Sequence, residues 1–336
     1  MANDLKPLVL PRAVAFILTH RLPCATLMVV MLMAVLWLPG MFYSIPLLAT
    51  LATALGVGVH ILTPGLIALI TFGGGEIFAL QVAAIAAIGV SAMAGFSLIP
   101  GLVVLTLYGL LPIAAAGSLK RQDGVRKSAQ YLALGLGIAV LAGLVIGSIS
   151  QDVSLREFIG QLLAPLFEAM QSQVLAADPE ALQVLDQARK MTVLILPGIM
   201  ALGLWFTWWG DIVFARTFAL KYGFYRGDVG DVLALRFGKI TAYAFLGLLI
   251  LVNFGDSNSD AQYIAINAII LVGGLLAAQG VAVGHSWLKV KGMTLAIGLM
   301  YLMLLMWSAM ILPFVIIGLL DIWYDYRRNM SAAGGQ

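Results

Sequence analysis

The residues best placed to do chemistry lie in the last quarter of the chain, where Asn267, Gln279, His285, Asp321, Asp325 and Arg327 punctuate otherwise apolar sequence. An amide left unpaired in hydrocarbon costs on the order of several kcal/mol, so each of these groups must bond something. Asn267 and Gln279 are twelve residues apart, which puts them within about 120° of one azimuth on a helix. Both are expected to point into a bundle and bond a helix, water or a ligand. Asp321 and Asp325 share a helical face and should tie the last helix to that same group or to Arg327. Arg327 and Arg328 follow so closely that internal salt bridges and snorkelling suit this helix end better than an acid–base pair. With Gly280, these six are the candidate binding residues.

Other chemistry has little support. The chain has no phosphate loop ending in Gly-Lys-Ser/Thr, no His-Glu-x-x-His, no Gly-x-Ser-x-Gly and no paired intramembrane aspartates of a protease type. No catalytic residue, metal site or cofactor is expected, and the chain reads as a non-enzyme. Cys24 is the lone cysteine, which excludes an internal disulfide. His60 stands alone near a helix break. Glu76 follows Gly73-Gly74-Gly75 and reads as a solvated carboxylate at an interfacial turn, against the alternative of an ion path.

The elements that position these residues follow from composition. Apolar residues make up 62% of the chain and charged ones 10%. Between Arg21 and Lys120 the only acid or base other than histidine is Glu76. Such a segment needs lipid as solvent, so the fold is all-α: a polytopic transmembrane bundle. The bilayer is the expected partner, and nucleic acid is not.

Apolar runs fall at 23–38, 44–73, 76–94, 97–118, 128–149, 191–209, 237–254, 262–284 and 293–323. The second is broken around Gly56, Gly58 and Thr63-Pro64-Gly65, the last at Pro313, and each could cross once or twice. The expectation is nine or ten spans. The chain divides into a cytoplasmic segment 1–22, a membrane bundle 23–149, an extracytoplasmic insertion 150–190, a second bundle 191–328 and a disordered tail 329–336.

Charge orients this arrangement. Lys6, Arg12 and Arg21 flank the first run, and Lys120, Arg121, Arg126 and Lys127 form the densest basic loop, so both belong inside. The stretch 151–190, with six acids and three bases, fits outside. Arg327 and Arg328 place the C-terminus in the cytoplasm. Trp205, Trp208 and Trp209 read as an aromatic belt at the membrane surface.

Within the insertion, Leu155, Phe158, Ile159, Leu162, Leu163, Leu166, Phe167, Met170 and Val174 keep helical spacing, with a bend expected at Pro165. Asp178-Pro179-Glu180 looks like the cap of a following helix. The amphipathic helix rests on the lipid interface or caps its own bundle; the alternative is a partner-docking helix or gate. Gly135, Ala139, Gly143 and Gly147 repeat every fourth position, and Gly280 and Gly284 form a second pair. Such faces allow close helix packing, within the bundle or against another membrane protein. On this reading Gly143→Leu should push a neighbouring helix away.

The run Gln279-Gly280…His285, the basic turn Lys289 to Lys291 and the ending Gly318-x-x-Asp321-x-x-x-Asp325-x-Arg327 together resemble the YybS-like family of predicted bacterial multi-pass membrane proteins. The likeness extends over most of 44–328 and implies a bacterial inner-membrane location without an established activity. It also implies a distant similarity to the substrate-binding membrane subunits of energy-coupling-factor transporters, which hold a small molecule and dock a partner helix. Two functions follow as expectations: a small-solute-binding or transport component, or a scaffold that organises or regulates envelope-associated partners. A transporter needs several inward polar groups at one depth, and only Asn253, Asn267 and Gln279 qualify.

Overall fold

The computed structural model describes residues 9–121, 124–177, 181–256 and 259–327. Lys6, the Asp178-Pro179-Glu180 cap, Arg328 and the tail 329–336 lie outside the described residues. Helices follow in the order α1 (Arg12–Thr19), α2 (Arg21–Met41), α3 (Pro46–Ile61), α4 (Thr63–Gly74), α5 (Glu76–Met93), α6 (Leu98–Val103), α7 (Leu111–Leu119), α8 (Gly124–Gln151), α9 (Leu155–Ala177), α10 (Ala181–Lys221), α11 (Lys239–Phe254), α12 (Asp260–Val290), α13 (Thr294–Met306) and α14 (Ile311–Tyr324). A π-helical segment, Val104–Leu110, joins α6 to α7, and a 3-10 turn, Val232–Ala234, precedes α11. No strand occurs among the described residues. The protein is an all-α polytopic bundle.

Among the described residues, seven helices are long and apolar enough to cross a membrane, with Pro46–Gly74 and Leu98–Leu119 each counted as one. The pair α13 and α14 is bent by 118° and makes an eighth candidate if it is one span. The nine-to-ten count took each limb of that pair, and α11, as separate crossings. At 13 and 14 residues, the limbs reach only about 20 Å each against a hydrocarbon core of about 30 Å. The turn between them precedes Pro313, where the sequence put it.

Local signals explain the element ends. Gly75 takes φ +87, a backbone few other residues tolerate, and reverses the chain between α4 and α5. Glu76 then opens α5, where a helix N-terminus favours an acid. It pairs with Arg121 at 3.8 Å and is half exposed, as a solvated turn requires. Ser154 and Glu157 form a capping box at the start of α9: the Glu157 carboxylate accepts from Ser154 N and Oγ at 3.0 and 2.9 Å, and Glu157 N donates back to Ser154 Oγ. These bonds hold the Glu157 carboxyl below its ordinary value.

The chain packs as two compact units that cut across the chain-order division. Unit 1 comprises Met1–Leu136 and Leu204–Gly230; unit 2 comprises Gly137–Gly203 and Asp231–Gln336. In unit 1, Cys24, Met28 and Leu32 of α2 pack with Ile67 and Ile70 of α4 and Ala79, Val82 and Ala86 of α5. In unit 2, Leu155 and Ile159 of α9 pack with Leu144, Val193 and Tyr263, while Leu276, Ala277, Val315 and Ile322 join α12 to α14.

Within 150–190 the structure has α9, with α8 running on to Gln151 and 181–190 forming the first part of the 41-residue α10. Two expectations change. The tryptophans are no surface belt. Trp205, Trp208 and Trp209 are all buried, and Trp205 Nε1 donates to the Ala129 carbonyl at 2.9 Å. The small-residue stripe on α8 is not one interface either. A side-chain carbon at Gly135 would strike Leu111 and one at Gly147 would strike Phe158, but at Gly143 it would meet nothing within 4 Å. Gly143→Leu therefore has no neighbour to displace.

Candidate functional site

Gln279 and Asp321 are fully buried, at 0% exposure each, and they meet. Gln279 Nε2 donates to Asp321 Oδ2 at 2.8 Å, and Gln279 Oε1 accepts from the backbone N of Phe237 at 2.7 Å. Arg327 donates to the same Asp321 oxygen at 3.0 Å and to the carbonyls of Leu233 and Leu235. Asp321 Oδ1 accepts from Tyr326 N at 3.0 Å. Both ends of the Gln279 amide and both Asp321 oxygens therefore have partners within the chain.

A second arginine completes the cluster. Arg236 binds Asp325 Oδ2 at 2.7 Å and donates to the carbonyls of Asp321 and Ile322 at 3.3 and 3.2 Å. Those carbonyls belong to the last turn of α14, the negative end of its dipole, where a guanidinium is favoured. Asp325 closes the helix in a left-handed conformation, φ 45. The two arginines thus fasten the end of α14 to the strap 233–237, and Gln279 fastens both to α12. Chemically this is a latch. The charged and amide groups neutralise one another, and no metal-ligating cluster occurs among the described residues.

The other candidates lie apart from it. Gly280 touches backbone, not ligand: a side-chain carbon there would strike the Phe314 carbonyl, as one at Gly318 would strike that of Leu276. Gly284 faces Phe314 and Met300. His285 Nδ1 lies 3.2 Å from the exposed Tyr301 hydroxyl and belongs to no network with Asp321. Asn253 is exposed and bonds its own helix through Leu249 O.

Asn267 repairs a break in α10. Pro197 has no N–H to give the carbonyl four residues back. That carbonyl, Val193 O, accepts from the Tyr263 hydroxyl at 2.8 Å. Asn267 Oδ1 accepts from Gly198 N at 2.7 Å, and its Nδ2 donates to Leu194 O at 3.1 Å and to Tyr263 O at 2.9 Å. One amide bridges the two backbone groups that would otherwise pair across the kinked turn. Asn267→Ala is expected to lower unfolding stability by about 1–3 kcal/mol through the polar groups it strands. Equilibrium unfolding in bicelles checks this; a loss well under 1 kcal/mol would mean that water replaces the amide.

The sequence reading missed Arg236 and the amide of Phe237. Arg236 lies in a charged stretch with nothing in its sequence to mark a partner, and a backbone N–H carries no residue signature. The excess of arginine beside the Asp321 and Asp325 pair was the available signal. A groove of about 400 Å³ lies outside the latch, lined by Phe167, Gln171, Leu182, Gln183, Asp186 and Arg189.

Among known proteins, a family described as predicted membrane protein (DUF2232) matches residues 27–322. No curated protein and no solved structure matches the chain.

Proposed function

We propose that this chain, which belongs to the DUF2232 family of predicted membrane proteins, is a non-enzymatic component of a bacterial inner membrane that organises or regulates membrane-bound partners. The observation that carries this reading is the saturation of the C-terminal cluster. A solute site needs polar groups turned toward a space, whereas Asn267 and Gln279 spend theirs on backbone and on Asp321. The resemblance to the YybS-like family fits the same location. Outward-facing apolar residues on α9, namely Leu162, Leu166 and Met170, offer a surface for a partner.

One observation favours a second reading, a small-solute-binding component akin to energy-coupling-factor subunits. The groove beside α9 and the start of α10 presents Gln171, Gln183, Asp186 and Arg189 to a space large enough for a small molecule. A photo-crosslinking residue at Leu166, activated in intact membranes, separates the two. The scaffold reading expects discrete protein adducts; adducts to lipid alone would overturn it. A bound small molecule released by Arg189→Ala in native mass spectrometry would establish the solute reading instead.

In the proposed orientation both termini are cytoplasmic and α9 is outside. In a Cys24→Ser background, cysteines placed at Ser172 and Ser331 should label from opposite sides of the membrane. Labelling of both from one side would overturn the orientation.

A further inference from the structure

Unit 1 holds a polar feature unrelated to the latch. The span Pro46–Gly74 is interrupted at Leu62, between α3 and α4. Beside this break, His60 Nδ1 lies 3.1 Å from Leu32 O and Nε2 lies 2.7 Å from the Tyr108 hydroxyl. A carbonyl only accepts, so Nδ1 carries the proton, and in the neutral ring Tyr108 donates to Nε2. Tyr108 belongs to the π-helical segment, an irregularity that favours functional sites. Its ring meets that of Trp208 with centroids 5.1 Å apart.

Trp208 and Asp211, three residues apart, lie on one face of α10. Asp211 in turn packs on Gly65, where an added side-chain carbon would lie 3.2 Å from Asp211 Cβ. These contacts and the register of α10 bring His60, Tyr108, Trp208 and Asp211 to the one break that Gly65 also flanks. Asp211 Oδ2 is buried there without a hydrogen-bond partner. Asp211 makes no ion pair among the described residues.

Depth makes this costly for a carboxylate. Gly65 lies nine residues before Gly74 and Asp211 ten before Lys221, or about 13 and 15 Å along their helices. Both positions therefore lie more than two helical turns in from the end of their helix. No cation is at hand. Arg216 donates to the Asp228 and Gly230 carbonyls at 2.8 and 2.7 Å and lies over the Tyr225 ring. Of the elements around the break, α4 has no titratable side chain, α3 only His60 and the stretch Leu98–Leu119 only Tyr108. In α2 the titratable groups are Arg21 and Cys24 near its start, and in α5 Glu76 at its first position. Besides Asp211, the unit 1 parts of α8 and α10 carry Arg126, Lys127, Tyr131, Arg216 and Lys221.

We propose that Asp211 is an intramembrane proton-binding site. One proton taken from an aqueous face converts the carboxylate to a neutral acid and removes the cost of an unpartnered charge in hydrocarbon. His60 and Tyr108 form a hydrogen-bonded pair at the same break. The inference goes beyond the scaffold reading and stands without it.

The test is infrared difference spectroscopy of the full chain in lipid nanodiscs across a pH titration. A protonated-carboxyl C=O band is expected at neutral pH, lost in Asp211→Asn and kept in Asp228→Asn. Asp211→Glu should retain the band at a shifted frequency, which keeps the test open if the asparagine variant does not fold. No such band in the wild type, or a band indifferent to both changes at 211, overturns the proposal. A second readout follows from linkage: a proton bound in the folded state makes stability fall as pH rises through its release. The wild type should show that fall and Asp211→Asn should not; equal profiles would overturn the proposal.

Discussion

Asp321→Ala is expected to cost about 3–5 kcal/mol of unfolding stability, because it takes the carboxylate from a half-buried guanidinium and a buried amide together. Arg327 would lose its carboxylate while its other bonds hold it against Leu233 and Leu235, and Gln279 Nε2 would lose its acceptor. An exposed pair offers the contrast. Lys190 and Asp186 lie 2.7 Å apart with both side chains more than half exposed, so Asp186→Ala should cost under about 1 kcal/mol. Adding Arg327→Met to Asp321→Ala should recover part of the loss by removing the stranded charge, but not the bonds to the strap. Equilibrium unfolding of the wild type and these three variants in bicelles measures this. If Asp321→Ala falls within about 1 kcal/mol of the wild type, the cluster is open to water and the latch does not exist.

The second large effect is a reversal of sign between glycines. At Gly280 and Gly318 an added carbon would meet backbone of the facing helix, which cannot swing aside as a side chain can. Alanine at either position is expected to lower stability by about 1–3 kcal/mol. The pair should cost less than the sum, since both substitutions force the same separation of α12 and α14. Gly143 sits in a helix with open space beside it. There alanine should raise stability by about 0.5–1 kcal/mol, the ordinary preference of a helix. A loss at Gly143 equal to that at Gly280 would contradict the packing described.

These glycines show how far the sequence could be read. Spacing identifies residues that share a helix face, but it does not say what covers that face. Gly135, Gly143 and Gly147 therefore looked alike, although Leu111 covers the first, Phe158 the last and nothing the middle one. The tryptophans failed for a related reason. An indole suits an interface and also a buried site with one acceptor, and composition cannot see the Ala129 carbonyl that Trp205 uses.

The latch was half legible. Asp321, Asp325 and Arg327 crowd a helix end in apolar sequence, and cost alone required partners for them and for Gln279. Arg236 was hidden because it reaches Asp325 across 89 residues of chain, by way of a strap whose path only the fold determines. Nothing in the sequence around Asp211 marks it as buried. Its burial depends on Gly65, a residue from a distant span.

The repaired break at Pro197 has a consequence for how this sequence can change over time. A helix interior normally gains about 3 kcal/mol when proline is replaced. Here an N–H restored at 197 would compete with the Tyr263 hydroxyl for the Val193 carbonyl, and a straightened turn would leave the Asn267 amide nothing to bridge. Pro197, Tyr263 and Asn267 are therefore an inherited set. A lineage that drops one is under pressure to drop all three, and aligned relatives should vary at these positions together.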